Sequence, residues 1–505
     1  MKLNKILFLL LLTSMFACTN LDETLNEDLT GDEARAFLDA NTDIDALLKA
    51  AYDGLRLPFM DQSRFWAAQE HTSDEALGPT RGPDWDDGGV WRVLHDHTWS
   101  ADHGFLGSTF NELLQVVFTT TNILTFNGVS PQQEAEARYL RAFVMFAVAD
   151  GWGQVPVRQP GDNLLEPSQV LAGDVALDFV ISELNEIMGN LPDGPTYKAN
   201  KDAAKVLLMK SYLNKGAFAN RESPKFDNGD MQQVIALADQ IINSGKYALE
   251  DSYFDNFAPN NDQVSSENIW TGENQGGVSS GNVRSRWFCT LHYNQNPSGW
   301  NGFTTLSDFY DSFEQDDARR YAEYPGSFDQ GVNAGFLIGQ QFDGDGNALQ
   351  DRKGNPLAFT REVKLKETGD DLEITGIRVV KYPVDYNSGD NADNDYVFFR
   401  YADVLLMKAE AMLRTGDASG ALDIVNQIRT ARNATPMTSL DLDALLAERG
   451  RELYWEGWRR QDLIRFGHFL DAWHEKPASG PERLLFPIPA NQLAVNPNLQ
   501  QNPGY

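Results

Sequence analysis

Two amphipathic helices joined by a tight turn are predicted near the C-terminus, in the segment YADVLLMKAEAMLRTGDASGALDIVNQIRTARN (401–433). Apolar residues recur there at helical spacing, with small alanines where two helices would approach closely. Gly416 is placed to end the first helix in a left-handed conformation, and Asp417 is placed to cap the second. A helix, a short turn and a second helix form the repeating unit of tetratricopeptide-like repeats. The segment therefore predicts stacked helix pairs.

Similar helical runs occur through much of the chain, and we count about four such pairs, degenerate in sequence. Repeat pairs of this kind stack into a superhelical scaffold, which more often binds partners than catalyses reactions. The predicted fold class is therefore mostly α, a tetratricopeptide-like helix-pair scaffold. The further helical runs are residues 32–57, 108–124, AEARYLRAFVMFAVADGW (135–152), KDAAKVLLMKSYLNKG (201–216) and DMQQVIALADQIINSGKYAL (230–249).

Residues 251–396 have a different character. Gly, Asn and Asp are frequent, helical periods are few, and short β-like pieces occur, such as EITGIRVVKYPV (373–384). We interpret this stretch as one long insertion of loops and hairpins. Loops on a rigid scaffold are where binding surfaces concentrate, so the insertion is a candidate binding region.

The N-terminus has the pattern of a targeting segment. Lys2 and Lys5 precede the short apolar run ILFLLLL (6–12), which is far below the roughly 20 residues of a membrane-spanning helix. TSMFAC then ends at Cys18, which resembles a bacterial lipoprotein signal. We predict a signal peptide over residues 1–17, a lipidated Cys18 with an acidic tether over 18–31, and one domain over 32–505.

The remaining thiol has no partner for a disulfide if Cys18 carries lipid, because the chain contains two cysteines. We therefore predict that Cys289 is a buried free thiol. A lipid anchor would tether the chain to a membrane surface, and no later stretch is apolar enough to span a bilayer.

Charge narrows the class of ligand. The formal net charge is −31, and removing Lys2 and Lys5 makes the acidic excess larger. Nucleic-acid binding needs clustered Lys and Arg, so this field disfavours it, and it disfavours polyanionic ligands as well. Neutral ligands remain open, and the sequence predicts no cofactor.

Two short motifs match catalytic or metal-binding patterns, but their surroundings do not. GVSSG (277–281) has the spacing of a nucleophile elbow, yet no helical start follows it. DGDGN (343–347) is similar to the start of a calcium loop, but Ala348 and Gly354 stand where such a loop needs Gly and Glu. We predict a Gly/Ser loop for the first motif and a hairpin tip for the second.

A cluster of histidines is the densest candidate for a metal site: His95, His97 and His103, with Asp96 and Asp102. No familiar zinc spacing is present. The same residues could equally form a packed loop held by hydrogen bonds. We predict no metal.

Aromatic residues concentrate in two polar regions. RGPDWDDGGVW (81–91) is too rich in Gly and Pro for a helix, so its two tryptophans lie in a loop and need cover from the protein or from a ligand. RSRWFCTLHYNQNPSGWNGF (284–303) adds further rings. Aromatic rings stack on the apolar faces of sugars while Arg, Asp and Asn hydrogen-bond the hydroxyls, so this mixture suits carbohydrate.

The chain resembles the SusD/RagB family of surface lipoproteins from Bacteroidetes nutrient-uptake systems over nearly the whole predicted mature sequence. The resemblance rests on the lipoprotein start and on long blocks in the family's order. These blocks are TSDEALGPTRGPDWDDGGVWRVLHDHTW (72–99), ARYLRAFVMFAVADGWGQVPV (137–157), WNGFTTLSDFYDSFEQDDAR (300–319), FRYADVLLMKAEAMLRTGDASGALDIVNQIR (399–429), ERGRELYWEGWRRQDLIRFGHF (448–469) and FPIPANQLAVNPNLQQNPGY (486–505).

The resemblance implies a non-enzymatic protein of the outer membrane that captures oligosaccharides and docks on a SusC-like TonB-dependent transporter. It places the ligand site on the loop-rich side, in the regions of the early Trp-rich loop and the insertion. By region, the implied ligand-binding residues are Arg81, Asp84, Trp85, Trp287, Tyr293 and Trp300. The early loop could instead be a structural turn.

Two other functions stay open from the sequence. Some branches of the family capture peptides, so peptide binding is the alternative on the same fold. A surface hydrolase is the third hypothesis, because the sequence neither nominates nor excludes a pair of carboxylates for glycosidic chemistry among its 73 acidic residues.

Overall fold

The structure, a computed structural model, describes residues 31–505. The predicted signal peptide and Cys18 lie outside the described residues, as does the predicted tether except for Gly31. The helices are α1 Gly31–Asn41, α2 Ile44–Asp53, α3 Arg56–Met60, α4 Phe65–Glu70, α5 Val90–His95, α6 Gly104–Ile123, α7 Pro131–Trp152, α8 Gly173–Ile187, α9 Lys201–Ala219, α10 Asn228–Asn243, α11 Asn261–Val264, α12 Ser285–Phe288, α13 Ser307–Asp311, α14 Tyr401–Arg414, α15 Ala418–Ala431, α16 Leu442–Leu453, α17 Arg459–Phe466 and α18 Ala490–Val495.

The chain divides at Asp43 into two units. The described part of the first unit contains α1, and residues 44–505 form the second unit, which contains all the other helices and all the strands. The predicted domain of residues 32–505 stays a prediction. Among the described residues, no helix combines the length and the apolar character needed to cross a membrane.

Short strands accompany the helices and form small separate sheets. β1 pairs with β9 in parallel, and the antiparallel sheets are β2–β3, β4–β11, β7–β8 and the three-stranded β10–β6–β5. The strands are β1 Thr80–Arg81, β2 Gln154–Val157, β3 Gln169–Ala172, β4 Asn268–Gly272, β5 Tyr321–Ala322, β6 Ala334–Leu337, β7 Gly339–Gln340, β8 Ala358–Phe359, β9 Lys366–Glu367, β10 Arg378–Val380 and β11 Tyr396–Arg400.

Consecutive helix pairs pack side by side, which confirms the predicted mostly α scaffold. The pairs are α6–α7, α8–α9, α14–α15 and α16–α17. Helix α10 packs against both α9 and α14, so it connects the first two pairs to the last two. In the pair α14–α15, Gly416 has a left-handed φ of 95° and the Asp417 carboxylate accepts a hydrogen bond from the Gly420 amide. Both residues therefore have the roles predicted for them.

Residues 32–57 are mostly helical, as predicted. They divide into α1, α2 and the start of α3. Helix α7 begins with a capping box between Ser130 and Gln133 and ends at Gly153, whose φ is 71°. That end agrees with the predicted break between Gly151 and Pro156, because a left-handed glycine reverses the chain into β2.

Buried ion pairs hold the C-terminal helices together. The Glu452 carboxylate contacts the guanidinium groups of Arg319, Arg400 and Arg432 at 2.7–3.0 Å, and all four side chains are fully buried or nearly so. In a second cluster, Lys210 of α9 pairs with Asp403 of α14 at 2.7 Å. Because each buried charge has opposite charges around it, the cost of removing it from water is offset.

The insertion forms turns and short hairpins, as predicted. At 343–347 the Asp343 carboxylate accepts hydrogen bonds from the amides of Asp345 and Asn347, and Gly346 has a φ of 79°. The tip is flanked by the bridge between Phe342 and Ala348. GVSSG is a turn closed by the bridge between Gln275 and Ser279. The prediction that no helix starts after it is wrong, because the four-residue helix α12 begins at Ser285. Cys289 is fully buried, as predicted, and burial raises the pKa of its thiol.

Candidate functional site

Residues 81–89 form a series of tight turns, and the last two residues of RGPDWDDGGVW, Val90 and Trp91, begin α5. The prediction that both tryptophans lie in a loop is therefore wrong for Trp91, because the turns end at the left-handed Gly89 and a helix starts directly after it. Arg81 and Asp84 exchange both backbone hydrogen bonds, at 2.8 and 3.1 Å, around Gly82, whose φ is 65°. Trp85 and Asp87 also have positive φ values, 60° and 42°. Non-glycine residues adopt this conformation rarely, so the surrounding structure holds the loop in one shape.

The two tryptophans of RGPDWDDGGVW have different environments. Trp91 is 4% exposed and packs on the rings of His71 and Phe303. Trp85 is only partly buried, and its indole nitrogen donates a hydrogen bond to the Trp300 carbonyl at 2.8 Å. This segment therefore has a structural tryptophan and a second one near the surface.

The Trp85 indole lies directly over the backbone of Gly302. A Cβ at Gly302 would stand 2.3 Å from two ring carbons of Trp85, so the ring can occupy this place only above a glycine. The Trp85 ring also packs against the ring of Phe303, at a centroid distance of 4.9 Å. The insertion therefore positions Trp85 although it is more than 200 residues away in sequence.

Trp300 is the most exposed of the predicted aromatic residues, at 50%. It stands edge-on to Phe288 at a centroid distance of 4.5 Å, and its ring is 6.2 Å from that of Trp85. The planes of the two indoles are inclined at 53° to each other, so the rings do not stack on each other. Together they form a shallow V-shaped surface.

Polar groups surround the rings. The Tyr293 hydroxyl donates to the Asp84 carboxylate at 3.1 Å, and the Arg352 guanidinium lies 4.0 Å from the Tyr293 ring centroid. Arg352 also contacts Asp84 at 3.3 Å and Glu373 at 2.6 Å. Burial and the Asp84 carboxylate raise the pKa of Tyr293 to about 12, so its hydroxyl remains a donor at neutral pH. We call Asp84, Trp85, Tyr293, Trp300 and Arg352 the tryptophan face.

Two of the residues predicted to bind ligand lie beneath this face. Arg81 is 2% exposed, and its terminal nitrogens donate to the carbonyls of Leu372, Thr375 and Gly302. Trp287 is 3% exposed. The Arg81 contacts support the face from within, because they tie the early loop to the insertion. Trp287 instead lines the groove described next.

A groove continues from Trp300 away from Trp85. It has a volume of about 300 Å³, and we call it the first groove. Its lining includes Arg284, Trp287, Phe288, Pro297, Trp300 and Tyr386. Arg284 forms an ion pair with Asp390 at its rim. Ser298 and Asp385 also line it, so aromatic walls and polar groups are both present, as in many ligand-binding pockets of this size.

The histidine cluster is a packed loop. The His95 ring nitrogens lie 3.2 Å from the Ala76 carbonyl and 2.9 Å from the His474 carbonyl. Those of His97 lie 2.9 Å from the Ser479 hydroxyl and from the Thr72 carbonyl. His103 caps α6 and contacts the Val90 carbonyl. Burial lowers the pKa of all three. Within residues 36–505, whose side chains the structure describes, no cluster of His, Cys, Asp and Glu is arranged to hold a metal ion.

Sequence reasoning missed Arg352 and Tyr386. Arg352 belongs to DRKGNP (351–356), a second hairpin tip in which Asp351 accepts the amides of Lys353 and Asn355. Turn chemistry explained that segment completely, so nothing in it pointed to a binding role. Tyr386 lies in an Asn- and Asp-rich stretch, and an isolated tyrosine there carries no helical or strand periodicity that would reveal its partners.

Comparisons with known proteins agree with this architecture. The profile of the SusD family matches residues 237–481. The chain is 23% identical to the SusD-like protein P38 of Formosa agariphila, over 99% of this chain and 98% of that protein. It is 26% identical to the starch-binding protein SusD of Bacteroides thetaiotaomicron, over 74% of this chain and 73% of that protein. A solved laminarin binding SusD-like protein superposes with a TM-score of 0.67 at 22% identity, covering 92% of this chain and 99% of that one.

Proposed function

The chain belongs to the SusD/RagB family, and we propose that it captures oligosaccharide or polysaccharide on the tryptophan face and delivers it to a partner TonB-dependent outer-membrane transporter. One observation carries the proposal: Trp85 and Trp300, from distant segments, stand 6.2 Å apart at the surface with a hydrogen bond fixing one to the other. The hydrogen bond from the Trp85 indole to the Trp300 backbone carbonyl orients Trp85 before ligand arrives, which reduces the entropic cost of stacking on it.

The polar rim supports a sugar ligand. Asp84 accepts hydrogen bonds, and Arg352 and the Tyr293 hydroxyl donate them, so both kinds of partner are within one small surface. Sugar hydroxyls both donate and accept, and they would exchange with these groups. The names of two similar proteins refer to glycans, starch for one and laminarin for the other.

We propose a cell-surface location on the outer membrane through a lipid on Cys18, with residues 18–31 as the tether. Support comes from the targeting pattern of the first residues and from the family. A Cys18→Ala variant is expected to leave the outer-membrane fraction and appear in the soluble fraction. Membrane retention of that variant would contradict the anchor.

Peptide capture is the alternative ligand on the same fold. The first experiment is electrophoresis of a soluble form starting after Cys18 through native gels cast with starch, with laminarin or with no polysaccharide. We expect retardation by a neutral glycan. Saturable binding of a protein digest without retardation by any glycan would instead assign the protein to peptide capture.

Substitution locates the site. Trp85→Ala and Trp300→Ala are each expected to weaken binding of the retarding glycan by about 1–3 kcal/mol, the scale of losses at aromatic rings that stack on bases. Phe118→Ala is the control, because Phe118 is equally exposed, at 46%, on α6 and lines no part of the face. Unchanged affinity in both tryptophan variants would remove this site.

The proposal includes no catalysis. Incubation of the protein with the retarding glycan should produce no new reducing ends, and incubation with the digest should produce no new amines. A steady increase of either product with time, proportional to protein concentration, would contradict the binding function and favour a hydrolase.

A further inference from the structure

Exposed aromatic side chains concentrate in one stretch of the insertion. Trp300, Tyr321, Phe328 and Phe342 are 42–50% exposed. Elsewhere among the side chains that the structure describes, the exposed aromatics are Phe37 and Phe118. Leaving large apolar rings in water is unfavourable, so such a cluster indicates a surface that is covered when the protein works.

Three of these rings surround one concavity. This concavity has a volume of about 610 Å³, and we call it the third groove because a second one lies between it and the first. It is lined by Tyr321, Phe328 and Phe342, together with Glu323, Asp329 and Asp343. Apolar rings and hydrogen-bonding groups therefore both line it, which is the same combination as on the tryptophan face.

A second groove lies between the first and the third. It has a volume of about 600 Å³, and its walls include Tyr324 and Gln330. It shares Asp385 and Tyr386 with the first groove, and it shares Asp329 with the third. The three grooves are therefore neighbours in a row that begins at Trp300 and ends at Phe342.

Hydrogen bonds hold the walls of this row. The Tyr386 hydroxyl donates to the Asn296 carbonyl at 2.5 Å, and the Asn296 side-chain amide donates to the Gln330 side-chain oxygen at 3.0 Å. These contacts join the loop before Trp300 to the turn at Phe328–Gln330. The row is therefore built from three insertion segments that brace one another.

The charge of the second and third grooves has one sign. Their linings include Glu323, Asp329, Asp343, Asp385 and Asp393, and no lysine or arginine is among the lining residues described. A polymer carrying carboxylate or sulfate groups would meet uncompensated like charge in both grooves. A neutral polymer would meet acceptors for its hydroxyl groups.

We propose that the row of grooves is an extended binding track for one neutral polysaccharide chain, which continues from the tryptophan face to Phe342. This inference rests on the proposed function and adds the length and the charge class of its ligand. Short oligosaccharides occupy the tryptophan face alone, whereas longer chains also stack on Phe328 and Phe342.

The continuity of the row of grooves favours a polysaccharide chain over a protein partner as its occupant. The exposed rings line concave spaces that share lining residues, two of which have acidic and no basic lining residues, and the row starts at a ring proposed to bind glycan. A flat protein interface would instead place its apolar rings on a surface depleted of charge at the centre.

The experiment measures affinities by titration calorimetry for three neutral ligands, a short oligosaccharide, a long oligosaccharide and the intact polymer, and for one anionic polymer. Starch and laminarin supply the neutral series, and polygalacturonate supplies an anionic polymer. The variants are Trp300→Ala, Phe328→Ala and Phe342→Ala, with Phe118→Ala as the matched exposed aromatic control. Circular dichroism melting checks that each variant is folded.

We expect Phe328→Ala and Phe342→Ala to weaken binding of the polymer and the long oligosaccharide by about tenfold each, following the scale for stacked aromatic rings, and to leave the short oligosaccharide unchanged. Trp300→Ala weakens binding of all neutral ligands, Phe118→Ala weakens none, and polygalacturonate does not bind.

The track is overturned if a neutral polymer binds and both phenylalanine variants bind it as tightly as the wild type. In that case the exposed rings serve another partner, such as a protein, and the tryptophan face stands alone. Equally tight binding of polygalacturonate overturns the neutral class. Failure of every glycan to bind overturns the proposed function together with the track.

Discussion

Gly302→Ala tests whether the insertion positions Trp85, without removing any aromatic ring. The alanine Cβ would stand 2.3 Å from two carbons of the Trp85 indole, whereas ordinary contacts begin at 3.4 Å. The ring must therefore retreat by about 1 Å or more, a displacement large enough to disturb close packing. Since Trp85 is partly exposed, it can swing outward into solvent.

The stability cost is moderate because that movement relieves the clash. The variant loses the hydrogen bond from the Trp85 indole to the Trp300 carbonyl, which is worth about 1 kcal/mol. Residual overpacking adds about 1–3 kcal/mol if the ring does not fully escape. Urea unfolding should therefore show a loss of about 1–4 kcal/mol, within the range that a folded protein of this size tolerates.

Gly302→Ala should weaken oligosaccharide binding more than a glycine-to-alanine substitution elsewhere in the protein would. With Trp85 displaced, its stacking surface no longer faces the same direction as Trp300, and binding of a short oligosaccharide should weaken by about tenfold, as for Trp85→Ala. Titration calorimetry at a temperature where both proteins are folded measures this effect. Gly107→Ala is the control, because nothing lies within 4 Å of the added Cβ.

Wild-type affinity in Gly302→Ala would refute the reasoning if Trp85→Ala weakens binding. Trp85 would then contribute from a displaced position, and its fixed orientation over Gly302 would be irrelevant. A crystal structure of the variant with the ring unmoved would contradict the steric argument directly.

The other predictions concern the scaffold. Glu452→Ala removes the shared partner of three buried guanidinium groups and should cost about 3–5 kcal/mol in urea unfolding; a loss below about 1 kcal/mol would contradict the role of the cluster. Burial raises the pKa of Glu448, but Arg319 and the neighbouring guanidinium groups outweigh it and hold the pKa at about 2, below the ordinary 4.5. The folded state therefore binds fewer protons than the unfolded state in this range. Stability of about 3 kcal/mol present above pH 4.5 should be lost as the pH falls towards 2, and Glu448→Gln should flatten that slope. Gly107→Ala should raise the free energy of unfolding by about 0.5–1 kcal/mol, because it replaces a glycine inside α6 where there is room for a methyl group; a decrease would mean that the methyl group is not accommodated.

The scaffold could be predicted from the sequence because its signals are local. Helical periodicity, the left-handed Gly416, the capping Asp417 and the end of α7 at Gly153 each depend on residues within a few positions of one another. The helical spacing over residues 32–57 is a local signal of the same kind, and the structure places α1, α2 and the start of α3 there. Loop character was equally local, since Gly, Pro and Asp set turn conformations wherever they occur.

The candidate site depended on contacts between distant segments. RGPDWDDGGVW contains two tryptophans in similar Asp- and Gly-rich sequence contexts, yet Trp91 is buried and Trp85 reaches the surface. The difference arises because Phe303 and Gly302 of the insertion pack differently against each ring. Trp300 is half exposed while Trp287, in the same segment, is covered. Sequence composition determined which kinds of residue are available for a sugar. The exposure of each ring, and its neighbours from other segments, exist only in the folded chain, because burial is set by contacts made across hundreds of residues.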